Sequence, residues 1–387
     1  MILRRVYRFK LEPNPTQTQK LYQQAGSRRF VYNWALARRD AHYKATGEGL
    51  TLAGLCLELT QLKKQEETLW LKEADSQMLQ QALKDLDKAC SNFFAKRSRF
   101  PKFASKNKGH FAFRIPQRVR VESGKVYCPK IGWIRIRQSQ EVEGKTKSAT
   151  FKRNACGEWF VALTAEFEMP DTALPAPKKP IGLDMGLSDF ITRSDGEAVE
   201  APKFYRKSAK KLRKAQRKLS RAKIGSNRRQ GAKLRVAKVH RKIANCRADF
   251  LHKLTTGLVR EFDHVGIEDL NVKALAKTKL RGHAKAWNDA AMGEFVRQLT
   301  YKAVWNRVHL VKVGRFFPSS KLCGACGVVN GALTLSDREW SCECGVKHER
   351  DLNAAMNVLK ESLAGGQPDN PNAQGATVRP TSVGALL

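Results

Sequence analysis

Apolar and polar residues alternate through Ile2-Leu3-Arg4-Arg5-Val6-Tyr7-Arg8-Phe9, which predicts a strand within residues 1–12. Pro13-Asn14-Pro15-Thr16 then starts a helix, with Thr16 as the expected N-cap. The pattern stays helical to about residue 98, as in Leu79-x-x-Ala82-Leu83-x-x-Leu86, with a break at Thr46-Gly47-Glu48-Gly49. Residues 13–98 therefore read as a helical module. From residue 99 to 170 the period shortens to that of strands, most clearly in Ile131-Gly132-Trp133-Ile134-Arg135-Ile136-Arg137 and Trp159-Phe160-Val161-Ala162-Leu163-Thr164. A small antiparallel β-barrel is predicted there, joined by the strand of residues 1–12. Residues 171–180 form a proline-rich linker, and a new domain opens at Ile181. From residue 365 to 387 the chain is rich in Gly, Pro and Asn and is expected to be disordered.

Charge adds a partner to this outline. The 387 residues include 72 Lys and Arg against 36 acids, and a net charge of +36 points to a polyanion. No run approaches a membrane-spanning length, so no membrane partner is expected. The N-terminus MILRRVYRFKLEPNP has no apolar signal region, so a cytoplasmic location is expected. The bias is strongest from Lys203 to Arg247, which holds nineteen Lys or Arg and no acid. Leu212, Ala215, Leu219 and Ala222 keep an apolar stripe, Gly225-Ser226-Asn227 interrupts it, and Leu234, Val239 and Ile243 resume it. A helical hairpin with a cationic ridge is predicted, its phosphate-binding candidates being Lys210, Lys211, Arg213, Lys214, Arg217, Lys218, Arg221, Arg228 and Arg229. Phe30, Tyr32 and Trp34, beside Arg28, Arg29, Arg38 and Arg39, read as a core stripe rather than as a base-stacking surface.

Of nine cysteines, Cys56, Cys90, Cys128, Cys156 and Cys246 stand apart and read as small buried hydrophobes. Cys323-x-x-Cys326 and Cys342-x-Cys344 present two pairs of sulfurs on glycine-bearing turns, the pattern of a closed structural zinc site. The second pair has one spacer residue, which leaves His348 as a substitute ligand or as a plain surface histidine. Three acids occupy unusual places. Asp184 ends an apolar run in Ile181-Gly182-Leu183-Asp184-Met185-Gly186, where it is a turn residue or a metal ligand. Glu268 ends a second run, His264-Val265-Gly266-Ile267-Glu268, and is read in isolation as a solvated strand end. Asp351 precedes Leu352-Asn353-Ala354-Ala355-Met356-Asn357 and is read in isolation as an N-cap. Together they have the composition of a site for two magnesium ions roughly 4 Å apart.

Ordered motifs then carry a resemblance. Gly26-x-x-Arg29-Phe30-Val31-Tyr32-Asn33, Phe100-Pro101-Lys102-Phe103, Pro129-Lys130-Ile131-Gly132-Trp133, Gly182-Leu183-Asp184-Met185-Gly186, Ile267-Glu268-Asp269-Leu270, Phe317-Pro318-Ser319-Ser320 and Arg350-Asp351-Leu352-Asn353-Ala354-Ala355 resemble the TnpB family of transposon-encoded RNA-guided nucleases. The resemblance implies a multidomain fold of mixed α/β and α+β type. It comprises a helical recognition lobe (13–98), a wedge-like barrel (1–12 and 99–170) and an RNase H-like, RuvC-type nuclease domain (181–320 and 349–364). A zinc ribbon (321–348) is inserted in the last of these. It also implies Asp184, Glu268 and Asp351 as a magnesium-binding catalytic triad, zinc on Cys323, Cys326, Cys342 and Cys344, a guide RNA, and double-stranded target DNA next to a short flanking motif. No small-molecule substrate is implied. Gln77 and Gln80 lie where relatives contact that motif, and their amides suit adenine edges. Met292 departs from a common tryptophan in a segment resembling a lid. An RNA-guided repressor needs the basic surfaces but not the acids, and a transposase acting directly on transposon ends needs no guide. The intact acid set favours the endonuclease.

Overall fold

The opening strand β1 (Ile2–Glu12) is followed by a helix that begins two residues earlier than expected. In a computed structural model that describes residues 1–106, 111–170, 172–278, 282–334, 336–365 and 367–368, α1 spans Pro15–Thr46 and its N-cap is Asn14, not Thr16. The Asn14 carboxamide accepts the Gln17 backbone N–H, and the Gln17 side chain accepts the Asn14 N–H in return. That reciprocal pair, with Pro15 at the first helical position, outcompetes a threonine hydroxyl. Gly47, at φ 74°, closes the helix in the left-handed region. After α2 (Leu52–Leu62) and a 3₁₀ turn (Glu66–Glu73), α3 covers Ser76–Phe94.

The strands β2 (Ala112–Ile115), β3 (Arg120–Glu122), β4 (Lys125–Cys128), β5 (Gly132–Arg137), β6 (Lys145–Arg153) and β7 (Trp159–Glu168) join β1 in a seven-stranded antiparallel sheet, ordered β2-β6-β7-β1-β5-β4-β3. The expected barrel thus takes the form of a curled half-barrel. Helices and sheet share one core, in which Tyr7, Phe9, Leu21, Leu79, Phe113 and Phe151 are fully buried. The arginines of α1 face sequence-distant acids: Arg28 meets Asp85, Arg38 meets Glu58 and Arg39 meets Asp87. Tyr32 and Trp34 pack against the core, and Phe30 meets Trp70 edge to face. Gln77 is half-buried and Gln80 exposed on α3.

Residues 1–171 and 172–387 separate as two units. The second contains β8 (Pro180–Asp184), β9 (Asp189–Arg193), β10 (Ala198–Glu200), α4 (Phe204–Ser220), α5 (Asn227–Glu261), β11 (His264–Glu268), α6 (Val272–Leu275), α7 (His283–Ala290), α8 (Met292–Asn306) and β12 (His309–Val313). It ends with β13 (Glu339–Ser341), β14 (Lys347–Glu349), α9 (Arg350–Ala364) and β15 (Gln367–Pro368). The sheet runs β10-β9-β8-β11-β12-β15, with β8, β11 and β12 parallel and β9 antiparallel to β8. This is the RNase H-like arrangement. The middle residues of β8 (181–183) and of β11 (265–267) are apolar and buried, as in other parallel sheets covered on both faces. α9 lies so close to one face that a Cβ on Gly182 would sit 2.2 Å from the Ala355 carbonyl oxygen, and one on Gly266 2.5 Å from Ser362 Oγ. Those two glycines let the helix reach the sheet. On α8, Met292 is fully buried in the same core as Phe190 and Phe295. The expected tail, apart from residue 365 and the short β15, lies outside the described residues.

Candidate functional site

Parallel pairing of β8 and β11 aligns Leu183 with Ile267, so Asp184 and Glu268 follow side by side at the same end of the sheet. Asp351 comes from the first turn of α9, whose N-cap is Glu349. Asp351 is therefore inside the helix and does not cap it. The three carboxylates interact: burial, joined by the charges of Glu268 and Asp351 and opposed by Arg350 and a backbone N–H bond at Met185, pushes the Asp184 carboxyl up to about 8. Burial also raises Glu268, opposed by the hydroxyl of Ser319.

Two further side chains shape this cluster, and neither was singled out from the sequence by itself. Ser319, buried in the segment that follows β12, donates its hydroxyl to Glu268 Oε1. Arg338 donates from Nη1 to Asp351 Oδ2 at 3.0 Å and from Nη2 to Ser188 Oγ at 3.0 Å. Its backbone carbonyl accepts the Arg350 N–H at 2.8 Å, which fixes it beside the start of α9. Ser319 positions a carboxylate rather than reacting itself. Ser319→Ala is expected to lower nuclease turnover about tenfold or more with the melting temperature nearly unchanged, the size of effect that removal of a ligand-orienting side chain has in metal sites generally. Unaltered turnover across a magnesium titration would remove that role.

The four cysteine sulfurs Cys323, Cys326, Cys342 and Cys344 all lie within 4.8 Å of one another. Cys323 Sγ is 3.8 Å from Cys344 Sγ, and Cys326 Sγ is 3.5 Å from Cys342 Sγ. Thiolates about 2.3 Å from a tetrahedral zinc have edges of roughly 3.8 Å, so the donor set fits that ion. Gly327 at φ 77° and Gly345 at φ 88° supply the left-handed turns behind each sulfur pair. His348 Nε2 lies 3.0 Å from Cys323 Sγ with its ring against Trp340, so it supports a sulfur from outside the set. Burial alone would raise the Cys323 thiol, yet backbone N–H groups of Cys326 and Ala325 and the His348 ring hold it down at about 5, in the thiolate range a metal needs. Two buried asparagines one helical turn apart fasten this ribbon to α9. Asn353 donates to Leu322 O at 2.7 Å and accepts the Gly324 N–H at 3.0 Å, while Asn357 donates to Ser319 O and Leu322 O at 2.8 Å each.

α4 and α5 form the predicted basic hairpin around Leu212, Val236, Val239 and Ile243. Lys210, Lys211, Arg213, Lys214, Arg217, Lys218, Arg221 and Arg228 are exposed. Arg229 instead turns inward, its Nη1 donating to the carbonyls of Leu219 at 3.0 Å and Ala222 at 2.9 Å and so closing the C-terminal end of α4. Asp289 anchors the other end, accepting the backbone N–H groups of Tyr205 and Arg206 and pairing with Arg247 at 2.9 Å. No described helix is long and apolar enough to cross a membrane.

A mixed sheet with β8, β11 and a crossing helix each contributing an acid, and a four-cysteine ribbon inserted just before that helix, defines an RNase H-like chain of the kind found in nucleases. The chain belongs to the TnpB, or OrfB_IS605, family. It is 40% identical to a "Putative RNA-guided DNA endonuclease" of Streptomyces pristinaespiralis, over 94% of this chain and 90% of the relative. It is 34% identical to the "Putative RNA-guided DNA endonuclease InsQ" of Escherichia coli K12, over 91% of each. Profiles described as OrfB_IS605, "Probable transposase", and as a Cas12f1-like TNB domain match residues 164–279 and 293–358. A profile described as a helix-turn-helix domain matches residues 1–48, where the structure has β1 and the single long helix α1. The fold is similar to that of the Cas12f1 chain in a complex with sgRNA and target DNA, with a TM-score of 0.53 at 13% identity, over 88% of this chain and 81% of that one.

Proposed function

We propose that this chain is an RNA-guided DNA endonuclease that cuts target DNA beside a short flanking motif by RuvC-type, magnesium-dependent hydrolysis. The observation that carries the chemistry is the crowding of Asp184, Glu268 and Asp351, in which burial and like charge raise Asp184 to about 8. Acids gathered at one end of the sheet suit a cation, and hard oxygen donors fit magnesium; among the described residues the four cysteines are the set that already lies at single-ion distances. When bound there, a pair of magnesium ions supplies an activated water and stabilises the departing oxygen. Asp184 and Glu268 hold their carboxylates rigid at neighbouring strand ends, and Ser319 keeps Glu268 in one orientation. Arg338 brings a guanidinium to the same mouth, suited to a phosphate oxygen. Zinc on the four cysteines closes the ribbon and seats α9, and with it Asp351.

The guide and target assignments rest on the names of the relatives and on the cationic hairpin. Each phosphate that the ridge neutralises releases counterion, so RNA affinity should fall steeply with salt. Charge removal at Lys211, Lys214 and Lys218 is expected to flatten that slope by about two to three; an unchanged slope would refute the phosphate-binding role of α4. The function itself is tested with protein co-expressed with its flanking noncoding RNA, retargeted to a plasmid library with randomised sequence beside the match. Guided cuts beside one enriched motif support the endonuclease. Guided binding without cuts turns the reading into a repressor, and indifference to the guide removes the assignment.

A further inference from the structure

The C-terminal end of α3 and the segment after it read Phe93-Phe94-Ala95-Lys96-Arg97-Ser98-Arg99-Phe100-Pro101-Lys102-Phe103, with four aromatic rings, five cations counting Lys106 just beyond, and no acid. The rings are not core. Phe94 is 77% exposed, Phe103 60% and Phe100 49%, while Phe93 sits between Phe94 and Phe100 at centroid distances of 5.4 and 5.2 Å. Water-facing phenyl rings gathered in this way mark an interaction surface. Lys96, Arg97, Arg99 and Lys102 are all exposed and make no ion pair among the described residues, whereas Arg28, Arg38 and Arg39 of the neighbouring α1 each face an acid.

The segment's backbone is nonetheless tied down. Lys96 turns the chain at φ 55°, Arg97 and Ser98 donate their N–H groups to Asn92 O at 2.8 and 3.2 Å, and Asn33 of α1 clasps Ala104 through both its amide atoms, at 2.7 and 3.0 Å. Fixed backbone, outward rings and unmatched positive charge are the components of a stacking platform, in which bases lie on the rings and phosphates meet the cations.

We infer that Phe94, Phe100 and Phe103, with the cations between them, bind unpaired bases of the guide RNA. This rests on the RNA-guided reading above. Duplexes hide their base faces, so rings of this kind need unpaired nucleotides. A guide carries such nucleotides before any target is met, and proteins read RNA largely through splayed bases stacked on aromatic and arginine planes. DNA offers them only after the duplex has been opened.

The test uses RNA-free full-length protein and three probes: a twelve-residue oligo(U), oligo(dT) of equal length, and a twelve-pair RNA duplex. The double variant Phe94→Ala/Phe103→Ala is expected to bind oligo(U) about tenfold or more weakly, with duplex affinity and melting temperature retained, and Phe94→Trp/Phe103→Trp is expected to restore binding. Undiminished oligo(U) binding overturns the inference, as does an equal loss on the duplex or a loss confined to oligo(dT). If the alanine pair proves unstable, a tryptophan pair that folds but binds no better than it also overturns the inference. Guided cleavage by the wild-type protein is read separately, so that either idea can fail alone.

Discussion

Replacing Asp184 with Asn is expected to lower guided cleavage at least about a thousandfold, as loss of an essential member of a catalytic group does, while raising the thermal stability of the metal-free protein. The two effects have one cause. Asp184 is held where burial and the charges of Glu268 and Asp351 disfavour its ionised form, and an amide of the same shape removes that repulsion. The pH dependence carries the sign. A carboxyl whose folded-state value is raised to about 8 contributes fully to stability below about pH 4, its unfolded value, and that contribution is lost as pH rises through 8. In EDTA, the advantage of the Asn variant over wild type should therefore grow between pH 5 and 8.5, and magnesium should shrink it. Parallel melting curves across that range would show that the carboxylates are not crowded as described.

Cys323→Ser carries the second large effect. One of four thiolates is lost from a cluster whose sulfurs already sit at zinc-like separations, and structural zinc contributes on the order of 10 kcal/mol to the folding of small zinc modules at neutral pH. Among the described residues the ribbon's own core is Cys323, Leu333 and Trp340, with Cys342 against it, too small to hold its shape without a metal. Because Asn353 and Asn357 bind α9 to the first knuckle, the loss should reach Asp351 and the proposed nuclease site. Bound zinc, measured by mass spectrometry, should fall from one ion to none, with an early unfolding step and loss of cleavage, while Cys56→Ser, at an isolated free thiol, should leave both intact. A Cys323→Ser protein that keeps its zinc and its melting curve would refute the cysteine site.

Much of this was legible because it is local. An acid ending an apolar run, two sulfur pairs on glycine turns and a basic stripe of helical period are each written in a few consecutive residues. What escaped depends on chain segments far apart. Ser319 matters through Glu268, fifty-one positions away, and Arg338 through both Ser188 and Asp351. Gly182 and Gly266 look like ordinary strand glycines until α9 lies against them. Asn353 and Asn357 pass for exposed helix polar groups until the ribbon's carbonyls are brought to them. Arg229 counts as one more ridge cation in the sequence, and only the hairpin's closure shows it facing carbonyls. The N-cap at Asn14 differs in kind, since Asn14 and Gln17 carry the reciprocal cap within four consecutive residues.

The most direct measurement places the complex of wild-type protein and its RNA on a plasmid carrying the guided match and its flanking motif. Linearisation is followed with magnesium or EDTA and with a matched or scrambled guide. The expected result is linear product only with magnesium and the matched guide, with 5′-phosphate and 3′-hydroxyl ends, and none from Asp184→Ala. Cutting that persists in EDTA, or from Asp184→Ala, would contradict the assignment of these three carboxylates as the nuclease centre.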